Sequence, residues 1–277
     1  MNNKIFEGKT YLITGIADSN SLAMFVARKI IENGGEVVCS GLGVSPFHKN
    51  LSEKAIAFLN KNNQDFQEAV RSELGDSLTE ILDVTIDENI EYFAKTLQEK
   101  NIRLNGFLHA IAMDKTIRQK EVKPLLEVTK DEFCDTMEVS AFSLIRLSHY
   151  LMKYNVLQPG SSICSLSYIA AAKVTFHPYR NISIAKAALE RITIELADEM
   201  GRKNGTRVNA IRFSPYMGSK AGNATLNQGD LDISNEVSPL GNATPDDLAN
   251  EVVHLFRPNG RITGEIRHVD GGYNIMG

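Results

Sequence analysis

Short apolar runs alternate with amphipathic stretches along most of this 277-residue chain. That is the pattern of a parallel sheet covered by helices on both faces. Tyr11 to Thr14 predicts a first strand, followed by a helix from about Ser21 to Asn33 that stops at Gly34 and Gly35. Further strands are predicted at Glu36 to Ser40, Glu80 to Val84, Gly106 to Ile111, Ser161 to Ser167, Thr206 to Phe213 and Glu265 to Val269. Between Gly43 and Leu78 the chain is polar and helix-prone, with Ala55, Phe58 and Leu59 at helical spacing. Long helices are predicted from about Lys130 to Lys153 and from Tyr179 to Lys203. In the second, Ala185, Leu189, Ile192, Leu196 and Met200 form one apolar face. Pro215 to Pro245 is rich in Gly, Asn and Ser and is the least regular stretch; a mobile lid is expected at about 215–235. No repeat, linker or boundary interrupts this order, so one doubly wound α/β domain spanning 1–277 is expected.

Composition narrows the partners. With 43% hydrophobic and 23% charged residues and a net charge of −4, nothing suggests a nucleic acid or an anionic membrane as partner. The opening MNNKIFEGKTYLITG lacks the apolar run of a signal peptide, and no later stretch approaches a membrane span. A cytoplasmic location is therefore expected. Cys39, Cys134 and Cys164 are isolated and lack metal-ligand spacing, so buried reduced thiols and no metal are expected.

The chemistry concentrates at Tyr179 and Lys186. Seven residues make about two helical turns with a drift of ~20°, so the phenol and the ammonium are expected to face one side. The ammonium can bind ribose hydroxyls and lower the cost of charge on the phenol oxygen, making the phenol a usable acid or hydrogen-bond donor. Lys186 lies in an otherwise apolar helical face, where an unpaired ammonium is costly to bury, so it calls for a partner. Upstream, Thr14 to Ala23 follows the first strand and opens a helix, where backbone N–H groups and the helix dipole can meet a pyrophosphate. That is the crevice of a Rossmann-type parallel sheet. Gly15 permits the tight turn, and Ser21 is expected to cap the helix and offer its hydroxyl to phosphate. Only one glycine is present, so an ordinary capped βα turn is an equal reading. Asp83 suits an adenine contact, or a plain turn or cap. His177 predicts surface or loop packing, and His109 a hydrogen bond to backbone. The turn and the Tyr–Lys pair together suggest hydride transfer.

These residues resemble a known family. Gly15-Ile16-Ala17 with Ser21-Leu22-Ala23 is similar to the Gly-x-Ala-x-x-x-Ser-Ile-Ala turn of the bacterial enoyl-acyl-carrier-protein reductases, a divergent branch of the short-chain dehydrogenase/reductase superfamily. Leu82-Asp83-Val84, Phe107 to Ile111, Ser167-Tyr168, Tyr179 with Lys186, Arg207 to Ile211, and Ile262 to Gly272 follow in that family's order. Carbonyl-reducing members of the superfamily use Tyr-x3-Lys, and Ile182 occupies that position here. The resemblance implies reduction of the C2–C3 double bond of a trans-2-enoyl thioester, with hydride from NADH or NADPH. It implies that Tyr179 stabilises the enolate, Lys186 holds the nicotinamide ribose and Tyr168 lines the pocket. Cofactor contacts are implied at Gly15, Ala17, Ser21, Leu22, Asp83, Val84, Ala110, Ile111, Lys186 and Pro215. A substrate pocket is implied at Ala112, Met113, Tyr216, Met217 and Leu226. The implied partners are an acyl carrier protein or coenzyme A thioester and three further copies of the chain, or one. The tyrosines stand one residue further apart than is usual, and Arg212-Phe213-Ser214-Pro215 replaces an Ala-Gly-Pro, which predicts a different pocket wall. A reductase of another activated alkene or ketone, or a dinucleotide-binding protein without catalysis, stays open on the residues alone.

Overall fold

A computed structural model describes residues 4–276. The strands are β1 (Thr10–Ile13), β2 (Glu36–Gly41), β3 (Leu78–Ile81), β4 (Leu104–His109), a small β5–β6 hairpin (Ile117–Arg118 and Glu121–Val122), β7 (Leu157–Ser167), β8 (Arg207–Phe213) and β9 (Ile266–Val269). All but the hairpin join one parallel sheet, in the order β3-β2-β1-β4-β7-β8-β9. The chain starts near the middle, winds out to β3, then returns and winds the other way. This order creates a crevice between the carboxyl ends of β1 and β4, where a doubly wound sheet holds its ligand.

Both faces of the sheet are covered, which is why the strands read as unbroken apolar runs. Tyr11, Ile13 and Cys39 enter one core with Met24, Val26 and Ile30 of α1 (Leu22–Glu32). Phe66, from α2 (Glu53–Leu74), joins the same core. Leu12 and Val38 point the opposite way, toward Ile90 and Phe93 of α3 (Asp87–Glu99). The chain then forms α4 (Lys130–Met137), a π turn (Glu138–Phe142), α5 (Ser143–Lys153), α6 (Asn181–Asn204), α7 (Lys220–Thr225), α8 (Gln228–Val237) and α9 (Pro245–Phe256). Leu144 and Leu147 of α5 and Leu189 and Met200 of α6 complete the second core, while Leu248 and Val252 of α9 close the first. The predicted doubly wound single domain is the one observed.

Several predicted elements need correction. The helix predicted over Lys130 to Lys153 is interrupted by the π turn, where the Ser140 hydroxyl accepts from Met113 N and donates to Met113 O. Helix α6 begins at Asn181, so Tyr179 stands in the preceding turn. Pro178 disfavours helical backbone at His177, and Arg180 adopts a positive φ of 49°. The irregular stretch Pro215 to Pro245 contains α7 and α8. Ser219 caps α7, and Asn227 with Asp230 forms a capping box on α8, so local hydrogen bonds supply what the short helices lack in apolar burial. Cys39 and Cys164 are buried as expected, but Cys134 is exposed on α4.

Candidate active site

The loops after β1 and β4 are fastened together at the crevice. Thr14 Oγ1 donates to Leu108 O at 2.8 Å and accepts from Ala110 N at 3.2 Å. Gly15 has a φ of +79°, and a Cβ there would lie 2.2 Å from Ala110 O. Only glycine fits both the backbone and the approach. Ser21 occupies the N-cap position of α1 but does not cap it. Its hydroxyl accepts from Ala17 N and Asp18 N, both at 3.0 Å, and so shapes the turn instead. The first turn of α1 carries no acidic residue. Its leading amides and dipole therefore present positive potential to the crevice.

On the opposite wall, α6 delivers Lys186. Lys186 is half-buried, and its ammonium donates to Leu166 O at 2.7 Å, near the end of β7. Desolvation brings its pKa down to about 8, against the pull of Glu190 one turn further on. Three donors with one used leave two for hydroxyls of a ligand. Below it, His109 is fully buried and bonds Ser143 Oγ at 2.8 Å, a side chain where backbone was expected. Burial, and then the Lys186 charge, push His109 down to about 3, so the ring is neutral at physiological pH.

The phenols lie together. The rings of Tyr168 and Tyr179 meet edge to face, with centroids 5.1 Å apart. Burial raises both well above the ordinary tyrosine value, so both keep their protons and remain hydrogen-bond donors. The Asp230 carboxylate raises Tyr179 further, while the Thr225 hydroxyl acts in the opposite sense. Both of those residues belong to the expected lid. Leu226 is buried, whereas Met217 is half-exposed. Tyr216 turns toward α1, where its ring meets Phe25 edge-on at 6.4 Å. Met113 packs beside the second core with Ile111 and near buried Val84, and Ala112 is exposed. Leu22 and Ala110 line the first core, with Pro215 buried at the end of β8.

Asp83 is engaged locally. One carboxylate oxygen accepts from Thr85 N and Oγ1 at 2.9 and 2.6 Å, and the other meets His48 Nε2 at 3.1 Å. The turn role is thus filled, and His48 is held there by Ser45 N as well, at 2.9 Å.

Two solved structures share this fold. The enoyl-acyl carrier protein reductase of Bacillus cereus, solved with NADP+ and an indole naphthyridinone, aligns at a TM-score of 0.83 and 27% identity over 99% of both chains. An Alistipes finegoldii enoyl reductase in complex with NADH aligns at 0.84 and 27% identity, over 99% of this chain and 90% of that one. In sequence, the enoyl-acyl-carrier-protein reductase (NADH) of Aquifex aeolicus is 31% identical over 276 residues, covering 99% of this chain and 94% of its own. The family described as enoyl-(acyl carrier protein) reductase matches residues 45–274. The chain belongs to that family.

Within an enoyl reductase frame, one feature had no expectation and one, His177, departs from the expected surface or loop packing. Behind Lys186, buried Glu190 accepts from Arg212 Nε and Nη2 at 2.7 and 2.6 Å and from Ser167 Oγ at 2.6 Å. Arg212 continues to His268 and Asp270, and Asp270 ties down the Gly272–Asn274 turn. This reductase therefore places an ion pair where the altered pocket wall was expected. The second feature is His177, which is buried with its ring 4.7 Å from that of Tyr179. Proximity to Tyr179 in sequence marks His177, but the partners of both features come from other elements.

Proposed function

We propose that this protein reduces the C2–C3 double bond of a trans-2-enoyl thioester, carried on acyl carrier protein or coenzyme A, with NADH or NADPH as donor. The observation that carries this is the pair of phenols of Tyr168 and Tyr179, packed ring against ring and largely withdrawn from solvent beside the crevice that Lys186 lines. Such a site stabilises negative charge on a substrate oxygen.

The crevice fits a dinucleotide. The unblocked start of α1 suits the pyrophosphate, with Gly15, Ala17, Ser21 and Leu22 around it, and the spare donors of Lys186 suit ribose hydroxyls. Asp83 and Val84 would flank the adenine, and Ala110, Ile111 and Pro215 the nicotinamide half. When bound, the reduced nicotinamide supplies the two electrons. Tyr179 then donates its hydrogen bond to the thioester oxygen, where charge collects, and a preorganised donor acts most strongly at that moment. Lys186 adds a positive charge to the same region, and neutral His109 adds none. Tyr168 lines the pocket beside the thioester. Ala112, Met113, Met217 and Leu226 are the proposed acyl contacts, and Tyr216, turned toward α1, borders the cofactor side. Segment 215–235 is the proposed lid that excludes water.

No acid stands at the end of β2, where Ser40, Gly41 and Leu42 follow one another, so a 2′-phosphate meets no repulsion there. Both cofactors are therefore proposed to serve. A homotetramer or dimer is proposed from the exposed Phe142, Ile184 and Ile194 on and beside the long helices. No helix among the described residues is long and apolar enough to cross a membrane, and a cytoplasmic location is proposed. The test is turnover of crotonyl coenzyme A with each reduced cofactor, followed through loss of reduced nicotinamide. Steady consumption with either one supports the reading; none with both, against a competent cofactor-binding protein, overturns it.

A further inference from the structure

The sequence predicts loop packing for His177, yet the ring sits between the catalytic tyrosine and the lid. Its Nδ1 lies 3.2 Å from Asp230 Oδ2, with side chains only 9% and 15% exposed. The same carboxylate oxygen accepts from Asn227 N at 3.0 Å, so the acid that closes the α8 capping box also grips His177. Thr175 Oγ1 donates to His177 O at 2.6 Å and holds the loop from the other side. The ring stands edge to face against Tyr179 at 4.7 Å, and its Nε2 is buried without a partner. Elsewhere the segment is held by Lys220 to Asp65 at 2.6 Å, by Lys120 N to Ala224 O at 3.1 Å, by buried Leu226 and by the Tyr216 ring against Phe25. The His177–Asp230 pair is the polar contact that ties it beside Tyr179.

We propose that His177 and Asp230 form the latch by which the segment 215–237 docks on Tyr179, and that the latched imidazole positions the Tyr179 ring for the thioester oxygen. The positioning half rests on the enoyl-thioester reading; the docking half does not. A nearly buried acid–imidazole contact is costly to break from one side, because the remaining partner stays desolvated. Each single substitution should therefore cost almost as much as both together.

The test compares His177→Ala, Asp230→Asn, the double variant and Asn227→Ala, all loaded with cofactor. Asn227→Ala removes the helix cap and leaves the latch. Amide hydrogen exchange over 215–237 reports docking, and KM and kcat with crotonyl coenzyme A report positioning. Exchange should quicken about tenfold in His177→Ala and in Asp230→Asn, with no further gain in the double variant. KM for the thioester should rise and kcat fall in the same variants, with cofactor affinity unchanged. Unaltered exchange in His177→Ala overturns the latch, as do losses that simply add. If Asn227→Ala reproduces Asp230→Asn while His177→Ala is silent, Asp230 is only a cap and the proposal fails. Quickened exchange with no turnover in the parent protein keeps the latch and removes the enoyl-thioester reading instead.

Discussion

Lys186 should make the cofactor-free protein less stable than it could be. The fall of its pKa from 10.5 to about 8 corresponds to about 3 kcal/mol at 1.36 kcal/mol per pKa unit. Replacement by methionine removes that cost but leaves Leu166 O without its donor, a loss of about 1–2 kcal/mol. The balance is a gain of roughly 1–2 kcal/mol at pH 7, or a few degrees in Tm for a chain of this size. The pH dependence fixes the cause. Below about pH 8 the folded and unfolded chains both carry the charge, and the full penalty applies. Between about 8 and 10.5 the folded chain releases a proton that the unfolded chain keeps, so parent stability rises with pH. Lys186→Met lacks this term, so its advantage should shrink over that window. Urea unfolding of both proteins without cofactor, from pH 7 to pH 10, measures the difference directly. A variant less stable than the parent at pH 7, or an advantage that does not shrink, would refute the reasoning. The same variant should bind dinucleotide more weakly, as expected when a functional charge is kept at the expense of stability.

Other outcomes follow from the same geometry. Tyr179→Phe should lower kcat by about a hundredfold or more, as loss of an oxyanion donor does, while isothermal titration shows cofactor affinity unchanged. Arg212→Ala should destabilise by about 3 kcal/mol in urea unfolding, because it strands a buried Glu190. Pairing it with Glu190→Gln should recover most of that loss. Gly15→Ala drives a methyl into Ala110 O at a positive φ; dinucleotide binding by titration should fall at least tenfold, through displacement of the phosphate turn.

The sheet was legible because strands buried on both faces must be apolar throughout. β2, β7 and β8 all lie within two residues of the predicted starts or ends at their carboxyl side, where the site is built. Helices were legible where one face is long and apolar, as in α1 and α6. Where tertiary bonds override period, the pattern misleads. The π turn lies where the Ser140 hydroxyl meets Met113, a contact with a loop 27 residues away in sequence. α7 and α8 were obscured by weak amphipathicity, although their caps at Ser219, Asn227 and Asp230 were there to read. α9 also went unpredicted, although it carries a strong apolar face and opens on a Thr244–Asp247 capping box with Pro245 in its first turn. At the site, Tyr179 and Lys186 stood out by spacing, although Tyr179 precedes the helix that was expected to carry it. Ser21 lay at the right position with a different hydrogen bond. His177 was read as surface or loop packing and the Glu190–Arg212 pair went unread, since their chemistry exists only once α8 and β8 are in place.

Deuterium transfer tests the central claim most directly. Reduced nicotinamide dinucleotide carrying deuterium on its transferable position would be turned over with crotonyl coenzyme A, and the product examined by mass spectrometry and NMR. Double-bond reduction at this site places one deuterium on the β-carbon of a saturated thioester with its carbonyl intact. Deuterium at a carbonyl carbon, or a saturated product without deuterium, would contradict it.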